Sequence, residues 1–148
     1  YPNLIWLDDK VAQVEITTGI CGEQLHLPLY AHSSPGDRPA EEGLHAVVRE
    51  CIARREPIVV KPRHGANSRH VFLWPEPHEV KEEAILASVQ EALNGWDDSW
   101  DRECWQLSRV PKGVVVQPMY AIAVPNSNLP KSRQAPLELK VQVLFGQV

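Results

Sequence analysis

The hydrophobic positions change period several times along the chain, and each change marks an element. Leu44, Val47, Val48, Cys51 and Ile52 fall at i, i+3, i+4, i+7 and i+8, the spacing of a helix with one apolar stripe. This predicts a helix over 40–55, ended by Pro57. The run Ile58-Val59-Val60 then predicts a strand over 58–61, a polar loop over 62–69 and a second strand over 70–74 that stops at Pro75. Leu86, Val89 and Leu93 share a helical face, which predicts a helix over 79–93 terminated by Asn94-Gly95.

Nearer the start, Asp8-Asp9-Lys10 precedes Val11 to Glu15. An aspartate there can cap the free amides of a first turn, so a helix is expected that ends near Gly19 or Gly22. Leu25, Leu27 and Leu29 alternate with other residues and predict a short strand, and 33–39 reads as a loop. Val114-Val115-Val116 predicts a strand running into Gln117-Pro118-Met119-Tyr120. A polar loop follows over 125–136, and Leu137 to Leu144 alternates as a final strand that turns at Gly146. The segment from Trp96 to Gln106 has no assignable period. The resulting order suggests an α+β fold in which helices are layered on a mixed or antiparallel sheet.

Composition narrows the function classes. A chain of 148 residues suits one domain or a large piece of one, and 43% hydrophobic with 23% charged residues is ordinary for a globular protein. The net charge of -4 and the lack of a basic stripe argue against a dedicated nucleic-acid binder. No apolar run approaches the ~20 residues that span a bilayer. Cys21, Cys51 and Cys104 lie far apart, so free thiols in a reducing compartment, the cytoplasm, are expected rather than a zinc site or disulfides. The chain begins at Tyr1 and stops at Val148 directly after a predicted strand. It therefore reads as part of a longer polypeptide.

Four segments carry candidate chemistry. Lys61 closes an apolar strand, where a lysine without a partner is unusual. Its natural partner is a phosphate. The loop Arg63-His64-Gly65-Ala66-Asn67-Ser68 follows directly. Gly65 would permit unusual backbone angles and close approach, the amides could form an anion nest, and Ser68 and His64 would add donors. Val114 to Tyr120 offers a backbone edge on which adenine could be read, with Gln117 and Met119 framing the ring. Glu138 and Lys140 lie two apart on the last strand and share a face. His64 and His70 lack a third ligand nearby and read as surface histidines, and Trp96, Trp100 and Trp105 read as local packing or, alternatively, as a platform for a sugar.

Asp9-Lys10, a glycine near Gly19, Leu27-Pro28, then Val59-Val60-Lys61-Pro62 and a Gly/Ser loop resemble, in that order, the ATP-grasp pattern, nearest to its TupA-like branch. The resemblance implies a partial ATP-grasp domain, with a phosphate-binding part over 1–111 and a hinge strand with the start of a second subdomain over 112–148. It also implies that Lys10 and Lys61 reach ATP phosphates, that the loop covers them, and that Gln117 stands where many members carry glutamate. Glu138 and Lys140 would lie on the acidic-x-basic strand, with Lys140 toward the transferred phosphate. Magnesium is implied, with its ligands beyond Val148. The implied activity is that of a ligase which activates a carboxylate as an acyl phosphate, in cell-surface polymer or glycan biosynthesis. A non-catalytic nucleotide-binding module and a carbohydrate-associated interaction domain are the alternatives. A protein kinase fits less well, because its glycine-rich loop precedes its lysine.

Overall fold

The computed structural model describes residues 2–22, 28–100 and 105–120. Its elements in order are α1 (Lys10–Cys21), β1 (Ala31–Ser33), α2 (Arg38–Arg54), β2 (Ile58–Pro62), β3 (Phe72–Trp74), α3 (Glu82–Asn94) and β4 (Val114–Pro118). Short 3-10 segments cover Pro2–Leu7, Pro77–Glu79 and Trp105–Arg109. The fold class is α+β. The four strands form one antiparallel sheet in the order β1-β4-β2-β3. β4 is thus central, hydrogen-bonded between the two earlier strands β1 and β2, and belongs to the same sheet as the Lys61 strand.

The two longer helices cover one face of this sheet. Ile58 and Val60 of β2 and Val114 and Val116 of β4 point into it, against Leu44, Val48 and Cys51 of α2 and Ile85, Val89, Ala92 and Leu93 of α3. Strand alternation turns Val59, Lys61, Val115 and Gln117 to the opposite face. The register sets Val59 against Gln117 and Lys61 against Val115. A smaller core of Trp100, Leu107 and Val110, with Ile5, Ala66 and Trp96 packed against it, lies beside the loop after β2.

Local chemistry explains the boundaries. Asp9 accepts from the Val11 and Ala12 amides and caps α1, and Gly22 ends it at φ 80°. Asp37 caps α2, with Pro39 in the first turn. That helix ends at Arg55 in the left-handed region, φ 57°, before Pro57 is reached. α3 starts later than the periodicity predicts because Pro77–Glu79 forms its own 3-10 turn. The first described strand is Ala31–Ser33, shifted past the Leu25 to Leu29 alternation, most of which lies outside the described residues. So do 125–136 and the expected strand at 137–144, with Glu138 and Lys140. Among the described residues no helix is long and apolar enough to cross a membrane.

Candidate functional site

Two lysines that are 51 positions apart in sequence lie near enough for the charge of Lys61 to act on Lys10. Lys61 is the fourth residue of β2, and Lys10 opens α1. The Lys10 ammonium donates to the carbonyls of Arg63 (3.3 Å) and Gly65, the two residues that flank His64 after β2. Burial pushes the Lys10 amine down, the charge of Lys61 pushes it further, and the net position is about 8 despite opposing pulls from Asp8 and Asp9. Burial also lowers Lys61. Like charges disfavour each other's ionised form; the shift of Lys10 carries that effect, whereas that of Lys61 comes from burial. No ion pair joins either lysine to an acid among the described residues.

Arg63 and Asp9 fix this arrangement. The Arg63 guanidinium grips the Asp9 carboxylate at both oxygens, Nε to Oδ1 at 2.8 Å and Nη2 to Oδ2 at 2.6 Å. The Arg63 amide donates to Gly113 O at 2.8 Å, on the lead into β4. One residue therefore ties the start of α1 to β2 and β4, and its carbonyl holds Lys10. Burial alone would raise the Asp9 carboxyl. The hydrogen bonds and charge of Arg63 and the amides of Ala12 and Val11 outweigh burial and hold it below the usual carboxylate value.

His64 corrects the expectation of a surface donor. It is fully buried. Nδ1 accepts from the Gly113 amide at 3.2 Å, so Nε2 carries the hydrogen and donates to Gly95 O at 3.0 Å. Burial lowers its pKa, helped by the charges of Lys112 and Lys10. A neutral ring with both nitrogens engaged offers nothing to a phosphate in this arrangement. His64 instead joins the loop after β2, the end of α3 and the start of β4. The reason is apolar company: Trp96 stacks on its ring at 6.0 Å and Trp100 meets it edge-on at 6.0 Å.

Gly65 is needed for closeness and not for an unusual backbone angle. Its φ is not positive. A Cβ there would lie 2.9 Å from Pro62 Cβ and 3.2 Å from Trp100. The positive angles fall on the next residues, Asn67 (53°), Ser68 (56°) and His70 (54°). Asn67 and Ser68 occupy the centre of a turn closed by Arg69 N–H to Ala66 O, 3.1 Å. Two positive angles in succession are what a type I′ turn requires. Ser68 is exposed at its tip. Trp100 donates to Ala66 O at 3.2 Å, so the base of the loop is fastened to the protein interior and its tip projects.

Trp100 is fully buried and presents no face to a sugar. Trp96 stacks with His64 and carries the Lys112 ammonium 5.8 Å from its ring centroid. The Trp105 side chain lies outside the described residues.

Gln117 shares the Lys61 face of the sheet and is buried, and its Oε1 has no hydrogen-bond partner among the described residues. Met119 uses its backbone N–H on Pro57 O at 2.9 Å, which removes that donor from any adenine reading. Among the described residues no group of three or more His, Cys, Asp and Glu side chains could hold a metal ion. The Asp9 cap was legible in the sequence, and both lysines stood out there as candidates. The Asp9–Arg63 pair and the inward turn of His64 did not; the four-residue step from Trp96 to Trp100 was the available sign of an aromatic wall. No family model matches the chain, and no curated protein and no solved structure matches it.

Proposed function

We propose that this chain binds ATP through its phosphates at the Lys10–Lys61 pair, as the nucleotide-binding part of a ligase of the ATP-grasp type. One observation carries the reading. Two half-buried lysines from different elements lie within reach of each other's charge, with no carboxylate ion-paired to either among the described residues. Such an arrangement is unfavourable until an anion arrives, and a phosphate chain supplies several negative oxygens at once. Gln117 and Met119 remain the residues proposed to frame adenine, Gln117 through its Oε1 and Met119 through its side chain.

In such a ligase a substrate carboxylate oxygen forms a bond to the γ-phosphorus while the bond to the β-phosphate oxygen breaks and ADP leaves. A nucleophile such as an amine then attacks the acyl carbon and inorganic phosphate leaves. Lys10 and Lys61 would hold the phosphates and offset their charge, a contribution of positioning and electrostatics. The exposed turn at Ser68 would approach the outer phosphates. Magnesium, which the resemblance implies, would be held by acidic side chains beyond Val148; among the described residues no group of three or more His, Cys, Asp and Glu side chains could hold a metal ion. A substrate from cell-surface polymer or glycan synthesis remains part of the proposal.

Calorimetric titration with ATP, with and without magnesium, tests the reading. Lys61→Ala is expected to weaken binding about tenfold or more, the worth of one charge-assisted contact. Equal affinity of wild type and Lys61→Ala sinks it.

A further inference from the structure

We propose that His64 is an acid-sensitive latch on the Lys10 site: protonating its ring frees the loop after β2, releases the two carbonyls that hold the Lys10 ammonium, and weakens anion binding there. The loss of binding rests on the reading that Lys10 and Lys61 receive phosphates; the release of the loop does not.

The place of the ring in the chain carries the inference. Lys10 donates to the carbonyls of Arg63 and Gly65, the residues on either side of His64. Whatever fixes His64 therefore fixes both acceptors. Two backbone groups fix it, the Gly113 amide on Nδ1 at 3.2 Å and the Gly95 carbonyl on Nε2 at 3.0 Å. Both belong to glycines with no room for a side chain. A Cβ on Gly113 would lie 2.7 Å from Ser33 O and 3.2 Å from Arg63 Cδ, and one on Gly95 would lie 2.8 Å from His70 Cγ. The Gly113 carbonyl also accepts from the Arg63 amide at 2.8 Å. Residues 63 and 64 are thus clamped to the same glycine, on the lead into β4.

A backbone N–H can only donate. The neutral ring meets it with an acceptor, whereas imidazolium carries hydrogen on both nitrogens. Once protonated, Nδ1 would turn an N–H toward the Gly113 N–H, in a fully buried position against Trp96 and Trp100. The ring and the amide cannot both keep their places, since a buried donor without an acceptor is costly. The ring moves toward water and draws the carbonyls of 63 and 65 with it.

The surrounding charges act in the same direction. The segment before β4 brings Arg109 and, over the Trp96 ring, Lys112. Lys10 of α1 and Lys112 both disfavour a positive ring, and the titratable residue of β2 is Lys61, another cation. Among the acids, Asp9 is engaged by Arg63, Asp97 by Arg69, and Glu91 of α3 by His70, which meets Trp100 edge-on. Burial together with the cations holds His64 below its ordinary 6.5. The ring is therefore neutral at pH 7.5, and the latch opens in acid.

The test follows the Gly113 amide of the wild-type chain by proton–nitrogen NMR from pH 7.5 down to 4.5. ATP affinity is measured over the same range by calorimetry, for wild type and for His64→Asn. Asparagine keeps an acceptor where Nδ1 stands and carries no charge. ATP titrates alike against both proteins, so the ratio of their affinities isolates the ring. The wild-type Gly113 amide is expected to lose its hydrogen-bonded shift at a midpoint below 6.5 while the helical circular dichroism is unchanged. Below that midpoint wild-type affinity should fall, relative to His64→Asn, by about tenfold for each pH unit, the slope of one proton. A Gly113 amide that keeps its shift while His64 titrates overturns the latch, and so does one that changes only as the helical signal is lost. Parallel loss of affinity in the two proteins overturns the link to the anion site. If His64→Asn does not fold, the wild-type amide decides alone. Absence of ATP binding by wild type at pH 7.5 overturns the phosphate reading and the binding half of this inference, and the Gly113 signal still decides the other half.

Discussion

The Asp9 carboxylate and the Arg63 guanidinium meet through two parallel hydrogen bonds, 2.8 and 2.6 Å long, across 54 positions of sequence. The side chains are 7% and 16% exposed, so this is an ion pair formed largely out of water. Such a pair contributes less than its Coulomb energy suggests, because both groups lose hydration, yet removing one partner leaves the other stranded. Asp9 also caps α1. The same carboxylate therefore sets where the helix begins and where Lys10 points.

Arg63→Ala is accordingly expected to destabilise the chain by about 3 kcal/mol, and Asp9→Ala by a similar amount plus ~1 kcal/mol for the lost cap. Asp9→Asn should fall between wild type and Asp9→Ala, since an amide can still cap. The folded carboxyl of Asp9 lies below its ordinary value of 3.8. The pair's contribution is therefore present above that value and is lost as pH falls through the lower, folded one. Urea midpoints measured from pH 5 down to 2 should show a slope that is reduced in Asp9→Asn, the remainder coming from carboxyls such as Asp97, which the Ser99 hydrogen bonds also hold low.

His64 predicts a second and separate pH dependence. Its folded pKa lies below the ordinary 6.5, so the unfolded chain takes up the proton first. Its contribution is complete above that value and declines as pH falls through and below it. His64→Phe keeps the aromatic packing and leaves the Gly113 amide and Gly95 carbonyl without partners. It should destabilise by about 2 kcal/mol or more and abolish the slope. A variant that keeps full stability would show that the two backbone contacts contribute nothing.

The loop after β2 separates two kinds of small-residue demand. Gly65→Ala places a methyl 2.9 Å from Pro62 and should destabilise by ~1–3 kcal/mol through overpacking. It should also weaken ATP binding, since the Gly65 carbonyl holds Lys10. Ser68→Gly relieves a left-handed angle of 56° and should be neutral or stabilising by up to about 1 kcal/mol. Thermal midpoints of the two variants should therefore move in opposite directions or differ clearly in size.

The helices and the β2 strand were legible because their apolar residues repeat at one period over many positions. α2 follows the stripe from Leu44 to Cys51, and β2 follows Ile58 to Pro62. β1 was not, because its three residues Ala31-His32-Ser33 carry no apolar pattern and are held by pairing with β4. The lysine pair was legible as two unusual positions, since each lysine adjoins a cap or an apolar strand. Its supports were not. No local pattern reveals that Arg63 reaches back to Asp9, or that His64 turns inward to the amide of Gly113. The second contact exists because β4 inserts beside β2 and brings 113 next to 63 and 64, a consequence of strand order that local sequence does not encode.

Lys61→Met makes the last prediction, one that separates stability from function. Lys61 is a half-buried cation whose charge lowers the pKa of Lys10. Methionine keeps most of its volume and removes both the desolvated charge and the repulsion. The variant should be more stable than wild type by ~1 kcal/mol, as is common where a binding site holds unfavourable charges. Lys10 should then titrate higher, because one of its two depressing influences is gone, and the pH at which stability changes with Lys10 should rise accordingly. Yet ATP affinity should drop about tenfold or more, for want of one phosphate contact. Denaturation and titration on the same sample check both halves. Unchanged or reduced stability in Lys61→Met would mean that the lysine is well solvated or well paired when the site is empty, and that the pair stores no unfavourable charge for a phosphate to relieve.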